Sequence, residues 1–368
     1  MPAITKIVVT GGPCAGKTTA LASIQATFSR QGYKVITVPE PATELISNGV
    51  TPWECSSAEE YQWCQMRVQL TRERAFERAA RGMDYEKILI VCDRGMLDNR
   101  CYMTEDEFQR VLADLGSSEI ELRESYDAVF HLVSVAKGAE QYYGTESNGA
   151  RYESLEEAAA LDDRFIESWT GHSHLRVIDN STDFEGKMER LIAEISYFLG
   201  EPAVYRVQRK FLIAYPDLAW LESLPNCERV EITQHYLRAE EGHELRIRKR
   251  GTSEWNTFQL TEKEIDGTRK HLVRRQRLSL REYENLLGQV DPSRRGIHKT
   301  RYCLSHEGQY FDIDVYPCWD DQAIMQIELP SMDSPVTFPP EIRVLREVTD
   351  DIAYRTHTIA GKPFGATH

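Results

Sequence analysis

No stretch of the chain approaches the about 20 apolar residues that a membrane-crossing helix needs. The opening Met1-Pro2-Ala3-Ile4-Thr5-Lys6 lacks the basic-then-apolar layout of a secretory signal. Together these absences lead us to expect a cytoplasmic protein with no transmembrane segment, whose contact with a membrane would be peripheral. The eight cysteines (14, 55, 64, 92, 101, 227, 303 and 318) contain no C-x-x-C pair. That argues against a zinc site, a dithiol redox motif and a disulfide framework. An excess of positive charge is missing too: 44 Lys and Arg face 58 Asp and Glu, a net charge of −14, so no nucleic-acid partner is expected. Internal repeats and low-complexity segments are also absent.

What remains is an ordinary globular composition, 41% hydrophobic and 28% charged over 368 residues. The length exceeds the ~150 residues of a typical domain, so two cores are expected. Charge is distributed unevenly. Residues 206–301 hold 20 basic against 14 acidic side chains, a local +6 (20 − 14) inside an acidic protein, which suggests that an anion is received there.

The first part alternates strands with helices. Ile7-Val8-Val9-Thr10 is a short apolar run that stops at Gly11-Gly12, and helical spacing follows through Leu21, Ile24 and Phe28. Further strands are read at 34–38, 87–92, 128–133 and 175–178, with a long helix over 58–81. Strands that are nearly all apolar, alternating with helices, predict a parallel α/β sheet with helices on both faces. A helix over 184–199 ends at Gly200-Glu201-Pro202, a helix stop followed by a breaker. We therefore expect one domain over 1–201 and a second over 202–368. In the second, eight short alternating segments (206–213, 229–238, 244–250, 257–261, 272–278, 298–305, 310–316, 323–329) predict an antiparallel, closed eight-stranded β-barrel.

Gly11-Gly12-Pro13-Cys14-Ala15-Gly16-Lys17-Thr18 fits G-x-x-x-x-G-K-[ST] between a strand and a helix. In that setting, the backbone N–H groups from Gly11 to Thr19 and the helix N-terminus cradle phosphate. Lys17 reaches the β/γ oxygens and Thr18 offers its hydroxyl to Mg²⁺. The expected cofactors are Mg²⁺ and ATP or GTP. Asp93 ends an apolar strand, as either the Mg²⁺-side carboxylate or a helix cap, and Arg94 beside it either meets a transferring phosphoryl group or pairs with a surface carboxylate. Glu40, between Pro39 and Pro41, comes to the same rim. Asp179-Asn180 ends another strand, as a nucleotide-base contact or as simple turn chemistry.

These segments (Pro39-Glu40-Pro41, Gln65 with Leu70-Thr71-Arg72, Asp93-Arg94-Gly95 and a lid around Arg151) resemble the deoxynucleoside kinase and nicotinamide riboside kinase group of P-loop kinases. The resemblance implies Glu40 as general base for a substrate hydroxyl, Gln65 as a substrate contact and Arg151 as a lid cation. A solvated helix-face amide is the plain alternative for Gln65. The chain departs from the group with Arg151-Tyr152-Glu153 for a two-arginine lid and D-R-G for E-R-S, which leaves the phosphoacceptor open.

In a strand, residues two apart share a face, so Arg246, Arg248 and Arg250 form a cationic row. Lys299 and Arg301 repeat the spacing, as do Arg206, Gln208 and Lys210, while Asp312 pairs with Asp314 and Gln326 with Glu328. Lining a barrel with like charge would be costly without a polyanion or metal inside. In order and spacing, V-Q-R-K-F-L-I, I-T-Q-H-Y-L, E-L-R-I-R-K-R, H-K-T-R-Y, D-I-D-V-Y and Q-I-E-L-P resemble the CYTH family of triphosphate tunnel enzymes. By that resemblance Lys210, Arg246, Arg248, Lys299 and Arg301 grip phosphates, Arg250 extends the row, and Asp314 and Glu328 serve a metal. Gln208 and Gln326 stand where the family has glutamates, which weakens metal-dependent hydrolysis and leaves a binding site.

The two-domain order resembles the translocation-defect family of P-loop plus CYTH proteins, which implies nucleotide and phosphoinositide binding. Three functions stay open. The first is a P-loop kinase or NTPase whose tunnel binds a phosphorylated small molecule or polyphosphate. The second is a nucleotide-dependent switch that binds a phosphoinositide headgroup. The third, disfavoured by the two glutamines, is a tunnel triphosphatase.

Overall fold

Five apolar runs form a parallel sheet in the order β2-β3-β1-β4-β5: β1 Ala3–Thr10, β2 Lys34–Val38, β3 Lys87–Asp93, β4 Ala128–Leu132 and β5 Leu175–Ile178. The computed structural model describes residues 2–139, 154–201, 207–253, 255–266, 269–329, 332–354 and 356–360. β3 is buried from Ile88 through Cys92 and β4 along all five residues. Strands covered on both faces have no reason to alternate, which is why they read as unbroken apolar runs. The connecting helices are α1 Lys17–Arg30, α2 Pro41–Ser47, α3 Ala58–Arg81, α4 Glu105–Leu115, α5 Glu119–Glu124, α6 Leu155–Trp169 and α7 Phe184–Leu199.

Most of these helices start on a side-chain cap. Ser57, Thr104, Ser118 and Ser154 each accept from the backbone N–H three residues on, and the last three complete a capping box with Glu107, Glu121 and Glu157. Helix α1 differs, because its N-cap is Gly16 and no side chain bonds to its first turn.

The chain divides into two compact units, Met1–Ile192 and Ala193–His368. The second is built on a nine-stranded antiparallel sheet ordered β10-β9-β8-β7-β11-β12-β13-β6-β14. Its strands are β6 Val207–Ala214, β7 Cys227–Tyr236, β8 His243–Gly251, β9 Asn256–Asp266, β10 Arg269–Leu278, β11 Ile297–His306, β12 Gln309–Val315, β13 Gln322–Leu329 and β14 Val344–Glu347. The expected antiparallel domain is present with one strand more than the eight foreseen. The addition, β14, is short and lies at the edge beside β6, with an irregular register between Val344 and Arg346. Among the described residues its two end strands, β10 and β14, do not pair with each other.

One face of this sheet is apolar and is covered by short helices. Leu221 from α8 (Leu218–Ser223) packs with Phe211, Phe311, Met325 and Ile327, and Tyr283 from α9 (Leu280–Leu287) packs with Ile247, Leu260 and Leu278. Burying each such side chain contributes about 1.5–3 kcal/mol, so the register that seats them also sends the alternate residues to the opposite face.

Candidate anion sites

The loop between β1 and α1 is shaped by backbone conformations that few residues adopt. Gly11 has φ 144°, and a Cβ there would lie 2.1 Å from the Leu132 carbonyl oxygen, so no larger residue fits without moving β4. Lys17 Nζ donates to the Gly11 and Gly12 carbonyl oxygens at 2.9 and 3.1 Å. Burial, then the neighbouring Arg94 guanidinium, lower the Lys17 ammonium to about 8 against the opposing pull of Glu40, Asp93 and Asp98. Thr18 and Thr19 are exposed at the start of α1. The first-turn N–H groups of α1, which lack a side-chain cap, are an anion site in the sense of helix-terminus chemistry.

Around Lys17 the structure brings together the predicted Glu40, Asp93 and Arg94. Arg94 Nε lies 2.8 Å from Glu40 Oε1, a charge contact without hydrogen-bond alignment, and the guanidinium stacks 4.5 Å over the Phe165 ring. Arg94 therefore pairs with the buried rim rather than with a surface carboxylate. Its φ of 65° is left-handed, a strain that persists only where the surroundings enforce it. The Asp93 carboxyl is raised by burial and by Glu40, and its Oδ1 is buried with no hydrogen bond among the described residues. Tyr61, which the sequence did not single out, joins the group: its phenol is pushed up to about 12 by burial and by Glu40, and its hydroxyl meets no partner among the described residues. Gln65 is buried on α3, not solvated. Arg151 lies outside the described residues.

A second set of residues holds the loop from behind. Asp162 of α6 is fully buried; its Oδ1 accepts from the Gly12 and Ser134 backbone N–H groups at 2.9 and 3.1 Å and lies 3.1 Å from His131 Nε2. Burial pushes the carboxyl up, but His131, Lys137 and the Gly12 N–H outweigh it and hold it at about 2. The Ser134 hydroxyl donates to the Pro13 carbonyl at 2.5 Å. Lys187 of α7, 2% exposed, donates to Ala15 O, Val133 O and Asn180 Oδ1 at 3.2, 2.6 and 2.8 Å. Asn180 also donates to the Ser134 and Lys137 carbonyls, so it clamps the turn. The outward-facing polar groups of the loop are thus satisfied within the protein.

In the antiparallel unit, register shows which side chains share the polar face, since cross-strand partners project to the same side. Lys210 faces Gln326, which faces Asp312; Asp314 faces Arg301; Ile232 lies between Lys299 and Arg250; Gln234 faces Arg248, which faces Gln259, and Gln259 faces Arg277. The cationic row of β8 and the Lys299/Arg301 pair therefore lie on one surface, together with Arg275 of β10 opposite Thr261. Arg250 and Lys299 are buried.

Charge on this surface is segregated. Toward β11 and β12, Lys299 Nζ meets Asp314 Oδ2 at 2.5 Å, and Arg301 reaches Asp314 Oδ1 and Oδ2 at 2.7 and 2.9 Å and Asp312 Oδ2 at 2.5 Å. Gln326 Nε2 donates to the same Asp312 oxygen at 3.2 Å. Burial works against the Asp314 carboxylate, yet Arg301 and Lys299 hold it at about 2. Toward β8, Arg248 Nη2 donates to the neutral Gln259 at 3.0 Å, and among the described residues the buried Nε groups of Arg246 and Arg248 meet no acceptor; the acid on this face of β8 is the buried Glu244, at the end of the row beside Arg246. Burial, then Arg250, Arg246, Arg301 and Arg275, disfavour the charged form of Arg248. A guanidinium gives up its proton reluctantly, so a bound anion would relieve the unfavourable energy.

The two surfaces answer differently to a metal. Beside the phosphate loop, a buried carboxylate oxygen of Asp93 with no partner and the hydroxyl of Thr18 suit Mg²⁺, which takes few protein ligands and several phosphate or water oxygens. On the antiparallel face both Asp314 oxygens are taken by cations, Asp312 is shared by Arg301 and Gln326, and no set of three His, Cys, Asp or Glu suited to a metal occurs among the described residues.

Residues 6–187 match the family model described as an AAA domain, in keeping with the P-loop and parallel sheet of that segment. Among solved structures the chain is similar to the inorganic triphosphatase NE1496, with 26% identity, 44% of this chain and 98% of that one covered, and a TM-score of 0.32. A structure described as the hypothetical protein NE1496 gives 26%, 43%, 99% and 0.32. The PH1819 protein from Pyrococcus horikoshii OT3 gives 18% identity, 35% and 81% coverage and a TM-score of 0.27. No curated protein matches. No helix among the described residues is long and apolar enough to cross a membrane.

Proposed function

We propose that domain 1–201 is a Mg²⁺-dependent phosphotransferase using ATP or GTP, and that domain 202–368 is a tunnel that binds a phosphorylated ligand. The observation that carries the first half is the grouping of Lys17, Glu40, Asp93 and Arg94 beside the uncapped start of α1. Lys17 leaves its carbonyl contacts for the β/γ oxygens. Thr18 and Asp93 would hold the metal, which when bound would supply charge neutralisation. Glu40 accepts the proton of an acceptor hydroxyl, and Arg94, drawn toward the transferring group, frees it to do so. Tyr61 and Gln65 face the acceptor.

In Glu40→Gln, transfer to a hydroxyl acceptor should be lost while nucleotide binding is retained. Unchanged transfer would refute Glu40 as the base. A nucleotide-dependent switch is the second reading, favoured by the Arg94–Glu40 pair that occupies the base; it predicts full nucleotide binding and no transfer in the unaltered protein. A triphosphatase in the tunnel is disfavoured by the occupied Asp314 and by Gln326.

A further inference from the structure

Resting on the tunnel reading above, we infer that the antiparallel domain takes its polyanion without a divalent metal, on the Arg246/Arg248/Arg250 row of β8, with Arg275 of β10 as an added contact. The anion is a compact polyphosphate, free or carried on an inositol headgroup.

The argument is one of donors and acceptors. A metal-bridged phosphate needs carboxylates that are free to coordinate, and on this face both oxygens of the buried Asp314 are taken by Lys299 and Arg301, Oδ2 of the half-buried Asp312 is shared by Arg301 and Gln326, and no set of three His, Cys, Asp or Glu suited to a metal occurs among the described residues. Freeing Asp314 for a metal would strand the buried Lys299 and leave Arg301 with Asp312 alone, a cost that a single ion does not offset. The amides of Gln208 and Gln326, facing Glu328 and Lys210, add no charge to attract Mg²⁺. Lys299 and Arg301 already have their counter-charge, so they add little to capture.

The β8 side is the converse. Arg246 and Arg248 each present a buried Nε–H with no acceptor among the described residues, and an orphaned buried donor is costly. Arg248 lies at the centre of the cluster, and the other guanidinium groups that bear on it are those of Arg246, Arg250, Arg275 and Arg301. Among the side chains facing this row from β7 and β9, Gln234, Gln259, Thr257 and Thr261 are neutral, and the acid of β8 on this face, Glu244, stands at the far end of the row from Arg250, opposite Lys263. Phosphoryl oxygens supply the missing acceptors and relieve the like-charge crowding, and a metal on the anion would cancel part of the charge that makes this contact favourable.

The test is titration calorimetry on full-length Lys17→Ala protein, which removes the phosphate-loop site. Inorganic tripolyphosphate, inositol trisphosphate and phosphatidylcholine vesicles carrying a phosphoinositide are each measured in EDTA and in excess Mg²⁺. We expect binding in EDTA that weakens when Mg²⁺ is added, and a loss of roughly tenfold or more in Arg248→Gln, with a smaller loss in Arg275→Gln. Arg248→Lys, which keeps the charge and the fold, should recover only part of the affinity. Comparing the three probes identifies the carrier of the phosphates. Binding that requires Mg²⁺, or that survives in a cooperatively folded Arg248→Gln, overturns the inference and leaves the tunnel reading standing. Failure of every probe under both conditions overturns the tunnel reading itself.

Discussion

The two candidate anion sites of this protein are made from different parts of the chain. Near the N-terminus the ligand groups are main-chain N–H groups and one lysine, and the side chains that matter most to the loop (Asp162, Ser134, Lys187) point at its outer side. In the antiparallel unit the backbone is consumed by the ladder, and only side chains are left to meet a ligand. A backbone site depends on conformation and is therefore sensitive to what props it. A side-chain site depends on which charges are already paired. That is why one surface keeps a metal-competent carboxylate in Asp93 while the other does not.

The comparison can be broken first at Asp314. Asp314→Ala leaves the buried Lys299 without its carboxylate and Arg301 with Asp312 alone, and should destabilise the protein by about 3–5 kcal/mol, read by urea denaturation. A near-neutral result would mean that the cation pair is solvated and available to ligand. Next, Lys17→Ala should weaken nucleotide binding about 100-fold, or ~2.7 kcal/mol, while leaving tripolyphosphate binding in the other unit unchanged. Loss of both would show that the sites are coupled.

Asp162 tests the props. Its carboxyl is held at about 2, below its unfolded value, so its stabilisation of about 2–3 kcal/mol is present above the ordinary carboxylate range and lost as pH falls through about 2. Asp162→Asn should therefore be less stable than the unaltered protein at neutral pH and lose less stability on acidification. It should also bind nucleotide more weakly, because the Gly12 amide loses its charged acceptor. Parallel acid titrations of the two proteins would show otherwise.

A smaller effect is expected from pH alone. Lys17 is lowered to about 8 and phosphate favours its protonated form, so nucleotide affinity should fall severalfold as pH rises through that value; a flat profile would remove Lys17 from the phosphate. The smallest effect should come from Arg209→Ala, which breaks a pair with Glu347 at 2.6 Å near the surface and is expected to cost less than about 1 kcal/mol. A larger loss would mean that the β6 edge is more tightly specified than the polar face it borders.

Legibility followed the range of the interaction. The phosphate loop is contiguous, and its glycines, lysine and threonine announce the turn that they make. Asp162 and Lys187 reach the loop from 150 and 172 residues away, and each sits on an amphipathic helix where a charged residue carries no signal of its own. Arg275 stands in Arg274-Arg275-Gln276-Arg277, where alternation alone allows either pair to face the ligand; the register shift between Leu272 and Arg274 decides it. Strand β14 has only four residues and finds its place by docking on β6, so nothing in its own pattern marks it.

Local chemistry in the sequence sufficed to specify where the chain turns, which strands are buried on both sides and which alternate, and where the phosphate-loop pattern and the cationic row lie, because each of these depends on neighbours within a few residues. Tertiary structure alone decided which cations are already neutralised, since pairing Asp314 with Lys299 and Arg301 requires adjacent strands in one particular register. It also decided that Arg94 rests on Glu40, because that contact forms only when β2 and β3 lie side by side.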